Sequence, residues 1–159
     1  MNSKRALIGM AGLLLMAAGC GRNAVREAVY LDSAQIAGLE LRAEYLEKAH
    51  IAEGRSVKMI NPQFLFTSTT GEEGGRRMIK EQITASFTLD APALAEFKSG
   101  LKPIPAPEYV PAQGPAEWWM TEDEFPALEF YAAAPFMKAT NGFIAIRSSD
   151  NTVFMLGTN

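Results

Sequence analysis

The sequence predicts an α+β fold: a mainly antiparallel sheet, one or two helices on one face, and a terminal β-hairpin. Three observations carry this. Arg77 to Leu89 alternates: Ile79, Glu81, Ile83, Ala85, Phe87 and Leu89 form one side, and Met78, Lys80, Gln82, Thr84, Ser86 and Thr88 the other. That period of two belongs to a half-buried strand. Near the end, Phe143 to Arg147 and Thr152 to Leu156 are apolar runs separated by Ser148-Ser149-Asp150-Asn151, which is a hairpin pattern. Helix signals are set apart from the strands and no repeat is evident, so the strands and helices are expected to segregate.

Taken in order, the chain opens with Lys4-Arg5, followed by 14 uncharged residues from Ala6 to Gly19 and then Cys20, its single cysteine. A membrane-spanning helix needs about 20 residues; fourteen suits the apolar region of a signal peptide. Met16-Ala17-Ala18-Gly19-Cys20 resembles the lipobox of bacterial lipoprotein precursors, although Ala17 stands where that pattern most often has leucine. The resemblance covers residues 1–20 alone. It implies cleavage before Cys20, a diacylglycerol on its sulfur and usually an acyl chain on the freed amine. One acyl chain holds a protein only marginally, whereas two or three hold it firmly, at about 0.8 kcal/mol per buried CH2. With Gly21 rather than aspartate after the cysteine, the analogy further implies the outer membrane, facing the periplasm. An ordinary secretory signal with an incidental cysteine, or a poor membrane anchor, is the plainer alternative. The expected organisation is a signal peptide over 1–19, a lipidated tether over 20–31 and one α+β domain over 32–159.

Residues 21–31 read as tether or a first irregular strand, kept wet by Arg22, Asn23, Arg26 and Glu27. Asp32 or Ser33 then predicts a helix cap. Ile36, Leu39, Ala43, Leu46 and His50 recur at helical spacing, with Glu44 and Lys48 as an i,i+4 pair and Gly54 as the stop. Leu39 to Tyr45 also alternates like a strand, and Gly38 costs a helix about 1 kcal/mol relative to alanine. Helix formers dominate the window, so helix is the expectation. Ser56 to Ile60 predicts a short strand stopped by Asn61-Pro62. Gln63 to Thr69 is rich in aromatic and β-branched residues, and Thr70 to Gly75 reads as a polar glycine loop leading into the Arg77–Leu89 strand. Together they predict an antiparallel hairpin. Asp90-Ala91-Pro92 opens a helix with Leu94, Phe97 and Leu101 on one face and Gly100 as its stop. Pro103, Pro105, Pro107, Pro111 and Pro115 make the next stretch too donor-poor for sheet, hence an extended loop lying over the domain. Phe125 to Tyr131 is expected as a strand, and Asn141-Gly142 turns the chain into the terminal hairpin.

Composition excludes several functions. Without residues 1–19, 140 residues remain, enough for one domain with its own core. They carry 13 bases against 18 acids, a formal charge of −5. Nucleic acid, which needs a basic face, is therefore not an expected partner, nor are anionic headgroups as a second attachment. With Cys20 acylated no thiol remains for a disulfide.

Chemistry-bearing patterns are sparse. His50 is the single histidine, so neither a Cys–His pair nor a zinc site of ordinary type is expected, and no metal or cofactor is. Its place on an apolar helical stripe suits a core or boundary residue better than a catalyst. Gly71 to Gly75 lacks the Lys-Ser/Thr and helix of a phosphate loop. The neighbouring acids Glu72/Glu73 and Glu122/Asp123/Glu124 read as a solvated surface. From Pro103 to Met137 there are six acids, among them Glu108, Glu117 and Glu129, and no Lys or Arg; Tyr109 and Trp118-Trp119 lie within it. Tyr109, Trp118, Trp119, Glu122, Asp123 and Glu124 could receive a basic partner through cation–π contact and steering. The bland reading is one core tryptophan and a wet loop. The expected function is a non-enzymatic, lipid-anchored module of the bacterial envelope that binds envelope proteins or a ligand. An inhibitor of a basic envelope-degrading hydrolase is the alternative. A hydrolase using two converging carboxylates is a third.

Overall fold

A computed structural model of the chain describes residues 27–159 apart from 74, 75, 113 and 115. The expected signal peptide, Cys20 and the tether up to residue 26 lie outside the described residues. Within them the fold is mixed α+β, as the sequence predicts: six strands in one antiparallel sheet, and two helices. The strands are β1 (Glu27–Asp32), β2 (Ile60–Glu73), β3 (Arg76–Thr88), β4 (Glu129–Ala132), β5 (Asn141–Arg147) and β6 (Thr152–Thr158), in spatial order β1-β2-β3-β6-β5-β4. The helices are α1 (Leu39–His50) and α2 (Ala91–Ser99).

Residues 27–31, counted with the tether from sequence, belong to β1, which pairs with β2 from Glu27↔Thr70 to Asp32↔Leu65. The Asp32 carboxylate does cap a turn, accepting from the Ala34 N–H at 2.7 Å. That turn is a short 3-10 segment over Ser33–Gln35, and the helix begins later. Gly38, with φ +91°, takes the N-cap of α1 in a conformation that a residue with a Cβ resists, so it stands outside the helix rather than weakening it. The short strand predicted over Ser56–Ile60 reduces to Ile60. It is continuous with β2 through a bulge at Asn61 (φ 51°) and Pro62, across which the register passes from Ile60↔Thr88 to Gln63↔Ser86. Gly71, Glu72 and Glu73 extend β2 instead of forming a loop, pairing with Met78, Arg77 and Arg76. The strand predicted from Phe125 starts at Glu129, because Pro126 sits in a 3-10 turn over Phe125–Ala127.

Register assigns side chains to faces, since directly opposed residues share one. Ile83, Ala85 and Phe87 of β3 line up with Met155 and Val153 of β6 and Ile144 and Ile146 of β5. Leu46 of α1 and Leu94 and Phe97 of α2 join them in one apolar cluster. On the opposite face Phe130, Phe143, Ala145, Phe154 and Leu156 form a second cluster with Trp119, Met120, Phe125 and Leu128. The cover on that side is the proline-rich segment itself: Ile104, Tyr109, Val110, Ala112 and Ala116 pack against it, and the described residues of this stretch lie in no strand or helix. The deeper half of β3 is therefore buried on both faces, Thr84 and Ser86 included, while residues 76–80 are exposed. The half-buried alternation expected along its whole length holds for neither half.

Candidate functional site

The candidate site lies where α1 ends. Ile51 bridges to Met137, the Ala52 N–H donates to the Phe136 carbonyl at 2.9 Å, and the Lys138 N–H donates to the His50 carbonyl at 2.9 Å. The Lys138 ammonium also donates to the Lys48 carbonyl at 2.6 Å, a cation on the orphan carbonyls of a helix C-terminus. These bonds pin residues 136–139 beside α1 and leave a pocket of about 250 Å³ between them and the sheet. Tyr45, His50, Phe66 and Ile83 form its walls, and Glu81 and Lys138 stand on it with opposite charges. Gly157 completes it for a steric reason: a Cβ there would lie 2.7 Å from the Ala139 Cβ and 2.8 Å from the Met137 methyl.

His50 is the chemically distinctive group. Its ring meets Tyr45 edge-on at 5.6 Å and Phe66 at 5.3 Å. Its Nε2 is buried and has no hydrogen-bond partner among the described residues. Burial first, and then the positive charge of Lys138, push the imidazole down from 6.5 to about 4, so it is neutral at pH 7. A neutral imidazole offers one donor and one acceptor. Leaving a buried polar atom without a partner costs about 1–3 kcal/mol, so a small molecule that supplies one recovers that amount on binding. The sequence places His50 on an apolar stripe with Ile36, Leu39, Ala43 and Leu46; in the structure His50 is the half-buried last residue of α1, Ile36 precedes the helix and Leu39 is exposed. The pocket is not legible there, because Phe66, Glu81, Lys138 and Gly157 reach it from four distant stretches.

A second polar cluster surrounds Glu129. Its carboxylate accepts from the Lys98 ammonium at 2.6 Å, from the Tyr131 hydroxyl at 2.9 Å and from the Ser148 hydroxyl. Lys98 chiefly, then Ser148, hold the Glu129 carboxyl down at about 2. It is a permanent anion that ties α2 to β4 and to the β5–β6 loop, the opposite of the raised acid a glycosidase-type mechanism requires. Lys98 and Ser148 lie 31 and 19 residues away in sequence, and no local spacing announces them.

The six residues singled out within 103–137 do not behave alike. Trp119 is 6% exposed, packs edge-on against Phe154 at 5.8 Å and donates from Nε1 to the Val110 carbonyl at 2.9 Å. Tyr109 is half-buried, with its ring against Phe125 at 5.3 Å and its hydroxyl donating to the Met120 carbonyl at 3.1 Å. Glu124 accepts from Arg147 at 3.1 Å, and Arg147 also holds Asp150 at 2.9 Å and lies 5.2 Å above the Phe154 ring. The acidic stretch thus receives cations from outside itself. Trp118 is half-buried against Trp119 at 6.1 Å, and Glu122 and Asp123 are exposed.

A shallower cleft of about 390 Å³ runs between residues 54–58 and α2, with Arg55, Lys58 and Glu96 on its walls. Among the described residues no three His, Cys, Asp or Glu side chains gather as a metal ion would need. No helix among them is long and apolar enough to cross a membrane. The chain matches no known protein family, no curated protein and no solved structure.

Proposed function

We propose that this chain is a lipid-anchored protein of the bacterial envelope, attached through Cys20, facing the periplasm from the outer membrane, and acting there as a non-enzymatic binding module. The single observation that carries the binding role is the buried Nε2 of His50, without a partner among the described residues, beside an aromatic-walled pocket. A ligand donating one hydrogen bond and presenting one flat face suits Tyr45, His50 and Phe66. The anchor rests on the charged, apolar and small-residue run that ends at Cys20. In the finer architecture that we infer with it, both helices cover one face of the sheet and β5–β6 closes the chain as a terminal hairpin. The apolar cluster shared by α1, α2 and the sheet supports the first part, and the β5–β6 pairing supports the second.

Two measurements test this reading. Full-length precursor and Cys20→Ser are expressed side by side, fractionated by membrane and weighed intact. Acyl mass and membrane residence in the parent chain, both lost in the variant, are the expected result; equal behaviour without added mass overturns the anchor. For the pocket, phenol is titrated into the soluble Cys20→Ser chain while the His50 and Phe66 ring signals are followed by NMR. Both signals move if the pocket binds; silence at both, with the fold intact, removes the binding role.

A second reading, an inhibitor of a basic hydrolase, keeps the support of Trp118, Glu122 and Asp123 at the surface. It requires that charge reversal at Glu122 and Asp123 weaken capture of a basic envelope hydrolase such as a lysozyme.

A further inference from the structure

Beyond Glu81 the β2–β3 hairpin leaves the sheet. Glu81 and Asn159 exchange backbone hydrogen bonds at 3.1 and 3.2 Å, and past them residues 76–80 have only β2 beside them. At about 3.4 Å per residue the ribbon projects roughly 17 Å. Nothing in the core requires this extension: Met78 is 41% and Ile79 53% exposed, and Arg76, Arg77 and Lys80 are exposed around them. Residues 72–80 hold three cations against two acids, in a chain whose overall charge is negative. An isolated two-stranded ribbon is marginal in water, and exposed apolar residues at its end suit a second surface.

The chain's own connectivity says what that surface is. β1 enters the sheet beside the ribbon, with Glu27 opposite Thr70 and Thr70 opposite Ile79. Cys20 precedes Glu27 by seven residues, which span at most about 25 Å when extended. An acyl group on Cys20 therefore holds the ribbon end of the domain, not the β5–β6 loop, within reach of the bilayer. We propose that the β2–β3 tip, through Met78 and Ile79 flanked by Arg76, Arg77 and Lys80, docks on the lipid surface to which Cys20 is anchored and sets the orientation of the domain. This rests on the lipid anchor proposed above and goes beyond it: an anchor alone leaves the domain free to tumble, whereas a docked tip holds it upright with the β5–β6 loop pointing away. Apolar side chains with cations beside them enter the headgroup boundary in the way interfacial segments do, about 5–10 Å deep. The negative charge of the whole domain is no obstacle, because Arg76, Arg77 and Lys80 outnumber Glu72 and Glu73 at the tip and surface charges farther off are screened beyond about 10 Å.

The test uses acylated full-length protein in vesicles containing lipids with a quencher on the acyl chain. Ile79→Cys and Ser149→Cys each carry one environment-sensitive fluorophore, attached after intact-mass confirmation that Cys20 is acylated. Ser149 lies in the loop at the opposite end of the sheet and is exposed. For a tip at interfacial depth the quencher lowers the Ile79 label about twofold and leaves the Ser149 label unchanged. Adding Arg76→Glu and Arg77→Glu to the Ile79→Cys chain returns its emission to the unquenched level. Acylated protein in which both labels are equally insensitive to the quencher overturns tip docking and leaves the anchor standing. Protein without acyl mass overturns both. Emission at Ile79 that changes with protein density but not with quencher assigns the tip to a second copy of this chain and overturns the bilayer assignment.

Discussion

His50 and Glu129 show how one chain sets two ionisable side chains in opposite directions by surroundings alone. His50 is buried between Tyr45 and Phe66 with Lys138 near it, so its proton leaves early, at about 4. Glu129 keeps its negative charge down to about 2 because three donors, Lys98 foremost, meet its oxygens. The consequences for stability separate by pH. For His50 the folded value lies below the unfolded value of 6.5, so the unfolded chain binds the proton first. Stability is then full above pH 6.5 and falls as pH drops towards about 4, by at most about 3 kcal/mol. Glu129 weakens the fold only below 4.5, the value of an unperturbed glutamate. Urea midpoints between pH 5 and 7 should therefore decline with acid in the parent protein and stay level in His50→Leu. A decline that persists in the variant assigns it to other groups.

Among the elements, α2 is the most locally specified. The Asp90 carboxylate accepts from the Ala93 N–H at 2.8 Å, Pro92 sits in the first turn, where its missing N–H costs nothing, and Gly100 ends the helix. Its apolar side, Leu94 and Phe97, enters the core, while Lys98 reaches Glu129. Replacing Asp90 by Ala removes one cap and should cost about 1 kcal/mol, read as a lower urea midpoint with unchanged slope. An unchanged midpoint would show that tertiary contacts hold the helix start without the cap. The edge of the sheet at β4 is protected by the residues that follow α2: the Ala132 N–H donates to the Lys102 carbonyl at 2.9 Å and the Ile104 N–H to the Phe130 carbonyl at 3.0 Å. Edge strands left bare invite pairing with other chains, and Pro103 between those two residues has no N–H to offer one.

At the scale of the molecule, the sheet carries an apolar cluster on each face, and the proline-rich segment packs against one of them. A stretch of this length without secondary structure is uncommon in a compact domain. It holds because the prolines limit the conformations lost on folding and because its aromatic residues supply a core of their own. Trp119 belongs to that second core and ties the segment to the sheet, touching Phe154 and donating to the Val110 carbonyl. Trp119→Ala should cost about 3–5 kcal/mol, with loss of near-UV circular dichroism ahead of the far-UV signal as the cover lifts from the sheet. A loss under about 1 kcal/mol would mean the cover contributes little, and the surface reading of Trp119 would regain its ground.

Patterns of short range are legible in the amino-acid sequence. The mixed α+β class follows from strand periods and cap residues that act within a few positions: Asp90, Pro92, the alternation through Phe87, and the donor-poor prolines from 103. The start of α1 is not legible, because Asp32 satisfies the same cap chemistry in a 3-10 turn and Gly38 then breaks the chain's direction. The length of β2 is not either: Gly71 to Glu73 have loop composition, and only pairing with residues 76–78 makes them strand. The His50 pocket, the Glu129 cluster and the pairing of Glu124 with Arg147 lie furthest out of reach, since each joins residues many positions apart. The sequence by itself determined where helices and strands are favoured. Only the tertiary structure decided which charges are neutralised, which aromatic residues are core and which end of the sheet β1 enters. Those properties depend on register and packing across the sheet, and a one-residue change of register exchanges its two faces.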